Sequence, residues 1–160
     1  MNSVKKLLKS ENIFYDGTFD VNDILQNCAD ECSFLHSRDL TSINNDVHHS
    51  LSTLPNISTN NVRKLSEKLQ GYHFIDDISH IKKGKYIRWI NKIDPLCTLK
   101  LGGIVNDIKF LSNGTHILIF NKYMNQNIQF QYDNVLLFQK LSIEEELILV
   151  AKDIASETAI

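Results

Sequence analysis

Cys28, Cys32 and His36 recur every four residues, which would line two thiolates and an imidazole along one side of a helix. His48 or His49 could supply a fourth ligand to a tetrahedral zinc site. The C-x₂-C pair of a zinc knuckle is absent, however, and cysteine also serves as a small core residue. Packing is the reading adopted for Cys28, Cys32 and His36, and no metal or other cofactor is expected. Cys97 stands near Pro95 in an expected loop with no evident partner, and three cysteines, an odd number, argue against a closed disulfide framework.

Asp76-Asp77, flanked by His73 and His80, could serve acid/base or Mg²⁺ chemistry. No second acidic cluster lies at a partner spacing, so the pair reads as a solvated turn. Gly102-Gly103 is no phosphate loop, because it sits inside a strand pattern and lacks the spacing of either glycine-rich fingerprint. No nucleophile elbow, H-E-x-x-H or Cys/His/Asn signature is present either. A protein that is not an enzyme is expected.

Charge carries more information. Residues 82–140 hold nine Lys/Arg against three acids, whereas both flanks are acidic and the whole chain is −2. Lys85, Arg88, Lys100, Lys109 and Lys122, interleaved with Tyr86, Trp89, Phe120 and Tyr123, are residue types that hold phosphates and stack bases. These five cations are the candidate nucleic-acid contacts. The competing demand is packing, since a small barrel needs inward aromatics. Alternation puts Tyr86, Arg88 and Ile90 on one face and Ile87 with Trp89 on the other, so Trp89 is expected in the core. A methyl-lysine cage would need three or four exposed aromatics around one pocket, and the sequence does not assemble one.

The elements that must position these residues are legible in part. Ser3 could cap two turns of helix, and Asp20 caps a stronger helix from Asp20 to His36. Residues 37–58, rich in Ser, Asn, Asp and Thr, read as a linker or long loop. The domains expected are therefore an acidic helical arm with linker, 1–58, and a folded domain, 59–160. A helix at about Thr59 to Gln70 stops at Gly71. Five strands follow: Lys85–Asn91, Thr98–Leu111, Thr115–Asn121, Ile128–Tyr132 and Val135–Leu141. The second is too long to be straight, and Gly102-Gly103 would bend it. In the fourth, Ile128, Phe130 and Tyr132 point inward. Ser142 and Glu145 form a capping box for a last helix whose apolar stripe is Ile143, Leu147, Val150 and Ile154, widened by Ile148 and Ala151.

This order defines an α+β protein: a small five-stranded antiparallel barrel with a C-terminal helix and a helical N-terminal arm. It resembles the Src-homology-type (SH3-like) and Tudor-like small barrels. YIRWI (Tyr86–Ile90), LKLGGIV (Leu99–Val105), FLSNG (Phe110–Gly114) and LLFQK (Leu136–Lys140) are also similar to strands and turns of small-barrel proteins from large double-stranded DNA viruses. That resemblance covers about residues 80–141 and implies a viral accessory or virion protein of unassigned role, in host cytoplasm or virion.

Bulk properties agree with one domain and an appendage. The chain has 160 residues, 42% of them hydrophobic, without a run of apolar residues long enough to span a bilayer. Its start, MNSVKKLLKSEN, is too polar for a signal peptide, so an intracellular, reduced setting is expected. Asn56-Ile-Ser and Asn113-Gly-Thr then match the glycosylation pattern by chance. The expected function is a non-enzymatic interaction or structural module with a protein partner and no membrane contact. The alternative is an accessory nucleic-acid-binding protein.

Overall fold

The computed structural model describes residues 38–158, with side chains placed as far as Ala155. The expected N-terminal helices and the set Cys28, Cys32 and His36 lie outside the described residues. The elements are α1 (Leu40–Ser52), α2 (Thr59–Lys68), β1 (Tyr72–Phe74), β2 (Tyr86–Asn91), β3 (Gly103–Leu111), β4 (Gly114–Asn121), β5 (Gln126–Gln131), β6 (Val135–Lys140) and α3 (Ile143–Thr158). The described residues fall into two compact units: one spans residues 44–140, the other comprises residues 38–43 and 141–158.

The fold is α+β, as expected, with an antiparallel sheet, but the sheet has six strands in the order β1-β6-β2-β3-β4-β5 and is open. The five-strand count missed β1, because Tyr72–Phe74 is only three residues and too short to show a period. Its pairing with β6, Phe74 opposite Phe138 and Tyr72 opposite Lys140, is a tertiary event. The single strand expected over Thr98–Leu111 is broken as well. Leu99 makes only an isolated bridge to Ile90, Gly102 turns the chain at φ 85°, and β3 begins at Gly103. A β-bulge then lies between Val105 and Asp107.

Strand β6, between β1 and β2, is buried on both faces over Val135–Gln139. On one face Leu136 and Phe138 join Ile90, Cys97 and the apolar side of α1 and α2: Val47, Leu51, Leu54, Val62, Leu65 and Leu69. On the other, Val135 and Leu137 join Ile87, Trp89, Val105, Ile117 and Ile119, with Ile128, Phe130 and Tyr132 packed beside them. Trp89 is thus a core residue, and its ring stacks on Phe130 with centroids 4.2 Å apart. Gln139 is the buried polar exception. Its Oε1 accepts from the Lys82 N–H at 3.0 Å and its Nε2 donates to the His80 carbonyl, so burial leaves its amide satisfied.

The linker expected over residues 37–58 is mostly the helix α1. Its Asn, Ser and His content hid an amphipathic pattern in which Val47, Leu51 and Leu54 face the core while Asn44, Asn45, His48 and His49 face water. Asp39 Oδ1 accepts from the Ser42 N–H at 2.7 Å at its start. Helix α2 is capped by Ser58, whose hydroxyl accepts from the Asn61 N–H, and the chain leaves through Gly71 at φ 83°.

In α3 the capping box is reciprocal: Ser142 Oγ accepts from the Glu145 N–H and Glu145 Oε1 from the Ser142 N–H. Of the expected stripe, Val150, Ile148 and Ala151 are buried but its two ends are not. Ile143 and Ile154 are exposed, and the buried side runs through Glu145, Ile148, Leu149, Val150 and Ala151.

Candidate functional site around Leu101

Three consecutive carbonyls ahead of β3 each receive a side-chain hydrogen bond from a neighbouring strand. Arg88 Nε of β2 donates to the Lys100 carbonyl at 2.8 Å, the Tyr86 hydroxyl of β2 to the Leu101 carbonyl at 2.5 Å, and Asn121 Nδ2 of β4 to the Gly102 carbonyl at 2.9 Å. The Lys100 N–H adds a bond to the Trp89 carbonyl. The segment is therefore held by four bonds although it belongs to no strand. At its centre the Leu101 side chain is 62% exposed.

Register places apolar groups beside it. Tyr86, Ile104 and Phe120 lie opposite one another on three adjacent strands, forming one row across the sheet. Ile104 is exposed and Phe120 half-buried. The β4–β5 turn is tied to the same end by Asn121, whose Oδ1 accepts from the Met124 N–H at 3.0 Å, and it carries Met124 and a Tyr123 that is 87% exposed. The β2–β3 connection carries Ile93 at 91% and Leu96 at 82% exposure past the Asn91 end of β2, where the Lys92 N–H donates to the Asn134 carbonyl. It too is fixed: Asp94 Oδ1 accepts from the Leu96 N–H and Oδ2 from the Thr98 N–H. These bonds hold the exposed Asp94 carboxyl below its ordinary range, Thr98 contributing most.

The candidate cations divide. Arg88, Lys100 and Lys122 stand at the Leu101 end of the sheet, Arg88 and Lys100 joined through the Lys100 carbonyl. Lys85, just before β2, follows them; its carbonyl accepts from the Val105 N–H. Lys109 does not join them. It lies opposite His116 toward the β3–β4 hairpin, in a polar network where His116 lies 3.1 Å from Asn113 Oδ1 through Nε2 and 3.1 Å from Gln129 Nε2 through Nδ1. Other basic groups in the segment have structural partners: Lys83 Nζ is 3.1 Å from Asp107 Oδ1, and Lys92 Nζ donates to the Asp133 carbonyl.

Asp77 Oδ1 accepts from the Ser79 N–H and starts a 3₁₀ turn at Ile78–His80, while Asp76 Oδ1 lies 3.6 Å from His80 Nδ1. Among the described residues no group of three or more His, Cys, Asp or Glu side chains is placed to hold a metal. Cys97 is a buried free thiol in the core at φ 50°. No helix among the described residues is long and apolar enough to cross a membrane.

Sequence reading passed over Leu101, Ile104 and Asn121. For Asn121 a signal existed. It falls on the inward parity of Ile117, Ile119 and Asn121, and a polar residue on an apolar parity implies a buried partner. Nothing comparable marks Leu101, whose exposure follows from the turn at Gly102.

A scan against protein-family models finds no match to this chain, and searches of curated proteins and of solved structures find none.

Proposed function

We propose that the chain is a non-enzymatic module that docks a protein partner on the apolar surface centred on Leu101. The observation that carries this reading is the clamp on the carbonyls of Lys100, Leu101 and Gly102, which presents an exposed leucine on a backbone already fixed. Exposed apolar groups that are also preorganised lose little entropy on binding, the economy expected of an interface anchor. Tyr123, Met124 and Ile104 extend the surface, and aromatic, Met and Arg side chains are the types enriched in such interfaces.

The finer expectations attach to this reading. Strands β6-β2-β3-β4-β5 form a four-strand meander whose return strand lies beside its first, in keeping with an SH3-like barrel to which β1 has been added. The resemblance to viral small-barrel proteins points to a virion or accessory role within the infected cell.

The test is affinity capture with the wild-type chain, Leu101→Asp and Phe110→Asp, the last an exposed residue at the β3–β4 hairpin. A partner identified by mass spectrometry, then purified, should bind wild type and Phe110→Asp equally and lose at least about tenfold affinity for Leu101→Asp. Equal binding by all three would exclude this surface.

One observation favours a second reading. Arg88, Lys100 and Lys122 surround the same end of the sheet as Tyr86, Phe120 and Tyr123, as single-strand binding requires. Micromolar or tighter binding to an oligonucleotide at about 150 mM salt, falling steeply as salt rises, would put nucleic acid in place of the protein partner.

A further inference from the structure

We propose that β5 pairs antiparallel with β5 of a second copy of this chain, joining two sheets edge to edge. Among the described residues the strand is an edge: β4 lies on one side of it and no strand on the other. Among the described residues no loop or helix main-chain group bonds to Gln126–Gln131 either. A free edge of six residues is one that proteins ordinarily block with lysine, proline, a bulge or shortness. β5 has none of these. Its sequence, QNIQFQ, holds no charge and no proline, and its register with β4 runs unbroken from Gln126 to Gln131. The opposite edge, β1, is only three residues long.

The residue pattern names the occupant. Read about Gln129, the strand is nearly its own mirror: Ile128 answers Phe130 and Asn127 answers Gln131. Antiparallel pairing of two copies at that centre sets Gln129 against Gln129, Ile128 against Phe130 and Asn127 against Gln131. Directly opposed residues share a face, so the apolar pairs continue the layer in which Ile128 and Phe130 already pack, and the amides stay together on the other face. Backbone polarity does not decide the register. Residues 127, 129 and 131 point their main-chain groups to one edge and 128 and 130 to the other, and both sets close symmetric hydrogen-bonded pairs about this centre. No charge opposes a like charge anywhere in the six positions. A second copy thus satisfies the edge in an isologous, closed contact that leaves no further β5 edge exposed.

The test is the mass of the full chain by sedimentation over about 1–200 µM, a range in which mass action should reveal the dimer. Gln129→Lys and Gln129→Glu place like charges face to face at the symmetry axis, and each alone should weaken self-association about fivefold or more. An equimolar mixture of the two should restore it, because the heterodimer pairs opposite charges. A wild-type chain that stays monomeric throughout overturns the proposal and leaves the edge to a strand of another protein. Unaltered dimerisation by both variants overturns it equally. Should the variants fold poorly, amide exchange of the wild type decides: protection within Gln126–Gln131 must rise with concentration, and equal exchange at both ends of the range refutes the pairing.

Discussion

Asn121 holds two turns of the chain together. Its carboxamide, 2% exposed, donates through Nδ2 to the Gly102 carbonyl and accepts through Oδ1 from the Met124 N–H. The β4–β5 turn and the bend ahead of β3 are thereby coupled, and with them the exposed Tyr123, Met124 and Leu101.

Asn121→Ala should cost about 2 kcal/mol, since it strands a buried carbonyl and loses the turn's hydrogen bond. Denaturant unfolding measures the loss, and faster amide exchange at Met124 should accompany it. Lys122→Ala, one residue on and exposed, should stay within about 0.5 kcal/mol of wild type. Equal effects would mean that the Asn121 bonds contribute nothing.

The glycines should separate by cause. A Cβ at Gly102 would overlap the Ile87 carbonyl oxygen in a backbone already at φ 85°, and one at Gly103 would overlap the Phe120 carbonyl oxygen. Gly102→Ala and Gly103→Val should each cost more than about 3 kcal/mol or prevent folding. At Gly84 the φ is also 85° but the space is open, so Gly84→Ala should cost only about 1 kcal/mol. The contrast is read from thermal or urea midpoints.

Helix α1 is structural, not a tether. Leu51 is fully buried among Val47, Leu54 and the α2 leucines, so Leu51→Ala should cost about 3 kcal/mol, whereas His49→Ala on the exposed side should cost almost nothing. Limited proteolysis should spare residues 44–69. Early cutting inside α1 together with a tolerated Leu51→Ala would contradict this packing.

Acid should loosen the β2–β3 connection in a defined direction. The Asp94 carboxyl is held below its ordinary value near 3.8 by the Thr98 and Leu96 N–H groups. The unfolded chain therefore takes up this proton more readily. The stabilisation is complete above pH 3.8 and is lost as pH falls through the lower folded value. Carboxyl ¹³C titration should give a midpoint below 3.8, and Asp94→Asn should flatten the acid limb of the stability profile. A midpoint at or above that value would refute the two-bond geometry.

Short-range physics made much of this protein readable from its sequence. The Ser142–Glu145 box, the helix from about Thr59 that stops at Gly71, the alternation of Ile128, Phe130 and Tyr132, and the face on which Trp89 falls are each set by residues within a few positions of one another. Their periods and caps are written locally. Reading failed where the deciding partner was distant. β1 is a strand because β6 accepts it, and α1 is a helix because its few apolar residues meet Leu136 and Phe138, some ninety positions away.

The candidate site divides the same way. Composition alone concentrated cations and aromatics in residues 82–140. Only the tertiary structure separated Lys109 from Arg88 and Lys100, gave Lys83 to Asp107, and exposed Leu101 on a clamped backbone. Sequence determines which groups exist and which local periods they can adopt. Which side chains share a face, and which carbonyls a buried amide must satisfy, follow from strand order and register, and those were settled by pairing between segments far apart in the chain.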